Sequence, residues 1–512
     1  MDSIEIMENL YHAYFSNEDK NIFNFSLDTD FIYSLQKINE LNGMSNLDIS
    51  NFVRNRFLGM LSSDDPNIAH KLTLHLRFPL YISLQRCLIL FETKNQFKEI
   101  DFDLNFTEFT SISHVILFRV MLYNMYRHLE VNKKVDEEIE SVYKQVFGNK
   151  ISLWFNVEEL SALNSQLDTA SIQRYLDFFS VDLKDIKTNL DPFKIIKSKL
   201  GYTVIFLHDF TYNLYQTIED KFLSSFGGNV ILSSEYGKIR GEMFEKYTFM
   251  LLKDFIATSR IHKNYFYRDI DGKNSELDFI VEFDDIVLNI ECKSARFDTF
   301  LADDGNILND RFISAYKRSY DSIDRFHRTI NNKEKLSLKK EGSSKVIDLK
   351  NKTVVSIHLT TYDMKYIASE IQRDIIPKMN KYAFYPININ CIDFQCMLLD
   401  IKFGGFADTR FRKYLLKRFE LINSNKNLKF DMDEMDVYGF IITETDDNLK
   451  TLKIFKDHKD NPGDIDFLIS NGVYRNQINK ELSMMFLEKR IEDFTSTRVH
   501  QFLKAIFIGK VI

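Results

Sequence analysis

Apolar positions recur at helical spacing through most of residues 1–220, as in RVMLYNMYRHLE, where Val120, Tyr123, Tyr126 and Leu129 share a face. Short polar breaks such as SSDDPN and NLDPF separate these runs, so the pattern predicts a mainly helical N-terminal region over 1–225. The character changes after SSFGGN, where Gly227, Gly228, Gly237 and Gly241 cluster. A helix is predicted over GEMFEKYTFMLLKDFIA, then a β-like run NYFYRDI, a Gly-Lys-Asn turn, and two alternating runs, ELDFIVEF and IVLNIECKSAR. A second helix is expected from about Asp310 to Ile330, an exposed loop over Asn331–Lys345, and strands at KTVVSIHL and YAFYPININCI. Beyond these the pattern predicts a helix at FRKYLLKRFELI, a strand at VYGFIIT and a C-terminal helix from Asn476. Three regions follow: 1–225 for recognition, assembly or regulation, a core at 231–395, and a C-terminal α/β extension at 396–512.

Only Asp284 and Asp285 separate the two alternating runs, so a two-residue turn would pair Phe283 with Ile286 and fix every later pair. Phe283/Ile286, Val281/Leu288, Phe279/Ile290 and Leu277/Cys292 then form an apolar core face. The other face carries Glu282/Val287, Ile280/Asn289, Asp278/Glu291 and Glu276/Lys293. Directly opposed carboxylates repel, and a divalent cation between Asp278 and Glu291 would relieve them. Lys293, two residues from Glu291, would lie beside that cation. Oxygen ligands without histidine or thiolate point to Mg2+ or Mn2+. In the preceding helix the core stripe is Phe244, Tyr247, Leu251 and Phe255, and Glu245 adjoins it on the line of Gly241, Thr248, Leu252 and Ile256. A carboxylate at that partly buried place needs a partner. Glu242, in line with Lys246 and Lys253, reads as a solvated face.

Composition narrows the classes of function. Of 512 residues 44% are apolar and 28% charged, which excludes wholesale disorder and fibrous repeats. Lys and Arg number 67 against 74 Asp and Glu, a net charge of −7, so any nucleic-acid surface must be local. Cys87, Cys292, Cys391 and Cys396 are too few and scattered for a disulfide framework; a reducing, cytoplasmic compartment is expected, with Cys391 and Cys396 as buried thiols on a strand. No apolar stretch is long and uninterrupted enough to predict a membrane span or signal peptide, so no membrane partner is expected. The chain has no phosphate-binding G-x-x-x-x-G-K-S/T loop, so an ATPase or sensor partner would be separate.

The helix-borne Glu245 in GEMFE, Asp278 in SELD, and Glu291 with Lys293 in IECKS resemble the PD-(D/E)XK nuclease superfamily. The sequence has Leu277-Asp278 where the family's name has Pro-Asp. The resemblance covers about Gly237 to Ile330 and implies a restriction-endonuclease-like αβββαβ core within a mixed α+β or α/β chain. It implies Asp278, Glu291 and Glu245 as metal-holding groups, directly or through water, joined by the backbone carbonyl of Cys292, with Lys293 as a catalytic group beside them. The following helix would then turn a basic face, Lys317, Arg318, Arg325 and Arg328, toward phosphate. The expected activity is a Mg2+-dependent nuclease that hydrolyses phosphodiester bonds, with DNA favoured over RNA, by analogy with prokaryotic restriction or anti-phage effectors. The competing expectation is a catalytically inactive nuclease-like scaffold that binds nucleic acid or assembles with partners, itself included.

Overall fold

The computed structural model describes residues 84–445 apart from 132–134, 149–150, 153, 165–166, 183–194, 205–206, 295–309, 362–381, 404–407 and 424–433. The C-terminal helix expected from Asn476 lies outside the described residues. The described chain is a mixed α/β structure, and none of its helices is long and apolar enough to cross a membrane. It divides into two units, one of residues 84–87 and 101–221, the other of 88–100 and 222–445.

Helix α1 (Leu88–Lys94) belongs to the second unit. The first unit holds α2 (Phe106–Val131), α3 (Glu137–Phe147), α4 (Val157–Leu163), α5 (Thr169–Phe179), a small sheet of β1 (Ser180–Asp182), β2 (Ile195–Ser198) and β3 (Gly201–Thr203), and most of α6 (Leu207–Ser224). It is mainly helical, as the periodicity predicts. Asn156 and Glu159 form a reciprocal cap at the start of α4. The buried Arg119 of α2 reaches Glu159 at 2.9 Å, which ties the two helices together.

In the second unit Gly227 and Gly228 adopt φ of 56° and 81°, and Asn229 caps α7 (Val230–Phe255) through the N–H groups of Ile231 and Leu232. There follow β4 (Ile261–Arg268), β5 (Asn274–Glu282), β6 (Ile286–Lys293), α8 (Asp310–Ile330), β7 (Lys335–Lys340), β8 (Ser343–Asp348), β9 (Thr353–Thr360), β10 (Ile387–Asn390), α9 (Cys391–Phe403), α10 (Thr409–Asn423) and α11 (Glu434–Thr445). The seven strands form one mixed sheet in the order β10-β9-β6-β5-β4-β7-β8. Strands β6, β9 and β10 run parallel, and the other neighbours are antiparallel. Helix α7 covers one face, with Phe249 on Phe279 and Thr248 beside Cys292. Helix α8 covers the other, where Phe326 and Ile330 pack with Ile280, Val287, Leu336, Leu338 and Ile347.

Several expectations need correction. The segment 331–345 is no loop: Leu336 and Leu338 alternate with exposed lysines and serine, and a β7–β8 hairpin buries those leucines with Ile347. The lysines masked a period of two. Asn390 ends β10 by accepting from the N–H groups of Ile392 and Asp393, so Cys391 and Cys396 sit buried on a helix, not a strand. VYGFIIT is helical because Val437, Tyr438, Ile441 and Ile442 bury one helical stripe. Among the described residues the extension after 396 is therefore helical, and Arg418 of α10 clasps Glu434 of α11 at 2.6 and 2.9 Å.

Candidate active site

The β5–β6 hairpin has the predicted register, with Phe279 opposite Ile290, Ile280 opposite Asn289, Val281 opposite Leu288 and Glu282 opposite Val287. The turn closes where the N–H of Phe283 donates to the carbonyl of Ile286 at 2.8 Å. The ladder stops at Phe279. One step further, the N–H of Cys292 donates at 2.7 Å to Oδ2 of Asp278. A strand N–H lies in the plane of its sheet, so Asp278 reaches sideways into the gap where the two strands part.

Strand β4 deviates at the same level. Lys263 pairs with Phe279 and Tyr265 with Leu277, and between them Asn264, opposite Asp278, adopts a left-handed φ of 57°. Both strands change face there. In β4, His262 and Tyr265 lie on the α8 side with rings 5.9 Å apart, while Lys263 turns toward α7. In β5, Leu277 and Ile280 both join the α8 core, whereas Phe279 stacks on Phe249 of α7. This corrects the expected faces: Leu277 does not share a face with Phe279, and the face opposite Phe279 is equally a core. Asp278 and Glu291 are therefore brought together by a double kink and not as a regular same-face pair. The kinks compensate, so the strand pairing resumes in register.

Four elements converge here. Glu245 comes from α7, Lys263 from β4, Asp278 from β5, and Glu291 with Lys293 from β6. Lys293 Nζ donates to Oε1 of Glu291 at 2.8 Å, and Lys263 Nζ lies 3.7 Å from Oε2 of Glu245. Burial pushes the Glu291 carboxyl up to about 7, with the Asp278 charge adding to it and Lys293 opposing. Burial raises Asp278 as well, against Lys293, the Cys292 N–H and Lys263. Glu245 is raised to about 7 by burial and by Asp278. Burial works against the charge on Lys293, but Glu291 and Asp278 outweigh it and the ammonium is held above its ordinary range. Glu291 is buried and Glu245 and Asp278 are half-buried, and the three acids face two lysines.

The cluster is firmly seated. Cys292 turns its thiol to Thr248, and burial raises that thiol well above its ordinary range, which leaves a neutral side chain beneath the acids. Arg240 of α7 donates to the carbonyl of Ser294 at the end of β6. A Cβ at Gly241 would lie 3.5 Å from Oγ of Ser294, so α7 runs close to that strand end. Of the basic residues expected on α8, Arg325 lies 3.9 Å from Asp269 and Arg328 2.7 Å from Asp324, so both are engaged in ion pairs of the fold. Lys317 is half-buried and Arg318 exposed.

Lys263 is the residue that sequence reasoning missed. The turn at IDGKN was its signal: Gly272 at φ 75° and the Asp269 carboxylate, which accepts from the N–H groups of Asp271 and Lys273, fix the β4–β5 register that sets Lys263 across from Phe279. Among the described residues no group of three or more His, Cys, Asp or Glu side chains is placed to hold a metal ion, so the candidate rests on a pair of carboxylates. Asp278 and Glu291 each keep one carboxylate oxygen outside the bonds given above, and every donor is a hard oxygen. That set fits a cation which retains water and shares coordination with a phosphate. No family model matches this chain, and neither the curated proteins nor the solved structures contain a match.

Proposed function

We propose that the protein is a divalent-metal-dependent nuclease with a restriction-endonuclease-like core, acting on DNA. One observation carries the reading: the carboxyls of Glu245, Asp278 and Glu291 meet at the end of the β5–β6 ladder, all three raised by burial, with Lys293 bonded to Glu291. Acids drawn together against their charge are what a cation site requires. The order α7, β4, β5, β6, α8 and β9 supports it too, with the β7–β8 hairpin as an insertion before the last strand.

Asp278 and Glu291 would hold Mg2+ or Mn2+, with the Cys292 carbonyl and with Glu245 directly or through water. The cation would supply positive charge at the scissile phosphate and acidify a bound water. The chain's own work is positioning. The Cys292 N–H fixes the Asp278 carboxylate, and Glu291 holds the Lys293 ammonium where it orients a water or meets charge developing on phosphate. Lys263 keeps Glu245 from facing two other acids uncompensated.

The test is incubation of the full chain with circular and linear DNA and RNA in Mg2+ and in Mn2+, beside Lys293→Ala. Metal-dependent cleavage of DNA that the substitution abolishes is the expected result. Full activity in Lys293→Ala, or no cleavage of any substrate, overturns the reading.

A further inference from the structure

Strands β7 and β8 form the edge of the sheet beyond β4. Their α8 side is buried through Leu336, Leu338 and Ile347. The opposite side of this wing is bare: Lys335, Ser337 and Lys339 of β7 and Ser344 and Val346 of β8 are all exposed. Phe266 of β4 pairs in register with Lys339 and stands on the same bare side. Phe266 is 40% exposed as a residue and Val346 58%, large values for apolar residues on a sheet. Lys335 faces Asp348 across the hairpin, which leaves Lys339 as the wing's principal cation.

This surface adjoins the acid cluster. Lys263, which meets Glu245, and Phe266 lie on the same strand and the same side, three residues apart across the kink at Asn264, at most about 10 Å at roughly 3.3 Å per residue. A chain of substrate leaving the site along β4 would meet a flat face with an exposed ring, flanked by Lys339 on β7 and by the Glu276 carboxylate on β5, with hydroxyls at Ser337 and Ser344. A duplex hides the faces of its bases and is gripped by elements that enter a groove, whereas an unpaired strand offers base faces to a ring and phosphates to neighbouring cations.

We infer that the bare side of β4, β7 and β8 is a platform for an unpaired polynucleotide strand, with a base stacked on Phe266 and a phosphate at Lys339. The inference rests on the nuclease reading for the nature of its ligand, but not for its test. Binding would be measured by fluorescence anisotropy on the full chain carrying Glu291→Gln, which silences hydrolysis, with a labelled 20-nucleotide single strand and its duplex as probes. The single strand should bind about 10-fold or more tightly than the duplex. Phe266→Ala should weaken single-strand binding roughly 5- to 100-fold, as for loss of one stacked base, and leave duplex binding unchanged. Phe266→Leu, which keeps apolar area without a ring, should be as weak as the alanine variant. Lys339→Ala should lower the slope of log K against log salt by about 0.7.

Single-strand binding unaltered in Phe266→Ala overturns the platform, as does equal weakening on duplex, or rescue by Phe266→Leu. A chain that is dimeric by light scattering and becomes monomeric in Phe266→Ala also overturns it, because the wing would then be covered by a second copy. Cleavage by the unsubstituted chain is scored separately: a strand bound through Phe266 but never cut sinks the nuclease and leaves the platform, and a strand cut but bound without Phe266 does the reverse.

Discussion

Two buried polar groups share the sheet of the second unit, and Glu291 and His358, register partners on adjacent strands, belong to different ones. His358 belongs to a seam between α8 and the sheet, where His327 meets Ser356 at 2.9 Å, Asn289 donates to Ser356 at 3.2 Å, His358 meets Asn388 at 2.9 Å, and Asn388 donates to Tyr320 at 2.9 Å. Burial drives His327 down to about 4 and His358 to about 3. Burial acts the same way on Glu291, toward the neutral form, yet lifts it to about 7. At neutral pH the imidazoles are therefore neutral, while the carboxyl is drawn up from its ordinary range toward neutrality. Burial alone therefore does not separate the two groups; the direction in which it moves them relative to neutral pH does.

The largest difference between the groups should appear in turnover. Asp278→Ala and Glu291→Ala should lose metal binding and cleavage together, by calorimetry and by gel. Lys293→Ala should keep or strengthen metal binding while turnover falls by roughly 10²–10⁴. Conservative changes in the seam, such as His327→Gln, should leave turnover nearly intact, and a seam variant that loses as much as Lys293→Ala would erase the distinction.

Next in size come opposite pH dependences of metal-free stability, read as melting temperature in chelator. The Glu291 carboxyl lies at about 7 in the fold against an ordinary 4.5, so the folded state favours its proton and stability falls as pH rises through that window. Glu291→Gln should gain on the wild type as pH goes from 5 to 8. His327 is lowered from 6.5 to about 4, so its contribution is present above 6.5 and is lost as pH falls toward 4. A disadvantage of His327→Gln should therefore shrink on acidification. Melting gaps that stay constant across pH would contradict both assignments.

The smallest effect is expected on α8, where Arg325 and Arg328 are already paired with acids. Lys317→Ala/Arg318→Ala should weaken DNA binding with little sequence preference, each lost phosphate contact reducing the salt slope by about 0.7–0.9. An unchanged slope would remove α8 from the binding surface.

The hairpin register and the approach of Glu245 were legible because they follow from short-range rules: a two-residue turn counts pairs, and a helical period counts faces. The kink at Asn264 and Asp278 was not, because a left-handed residue in one strand and a displaced one in its neighbour leave the alternation of each looking uninterrupted. Leu277, Phe279 and Val281 read as one apolar row, and only the tertiary packing divides them. The β7–β8 hairpin was hidden by its lysines, and α11 by β-branched residues that strands also favour, since short apolar runs carry no decisive period.

The compensated kink also constrains how such a chain can vary by insertion and deletion. Removing Asn264 alone would shift every later pairing between β4 and β5 by one position and carry Tyr265 and Tyr267 to the opposite side of the sheet. Removing Asp278 alone would do the same to the other strand. Only the loss of both restores the ladder, and that pair of deletions takes the acid with it. The geometry thus makes length change at these two positions an all-or-nothing event, in which a lineage can keep the sheet and discard the acid but has no single-residue route between the two states.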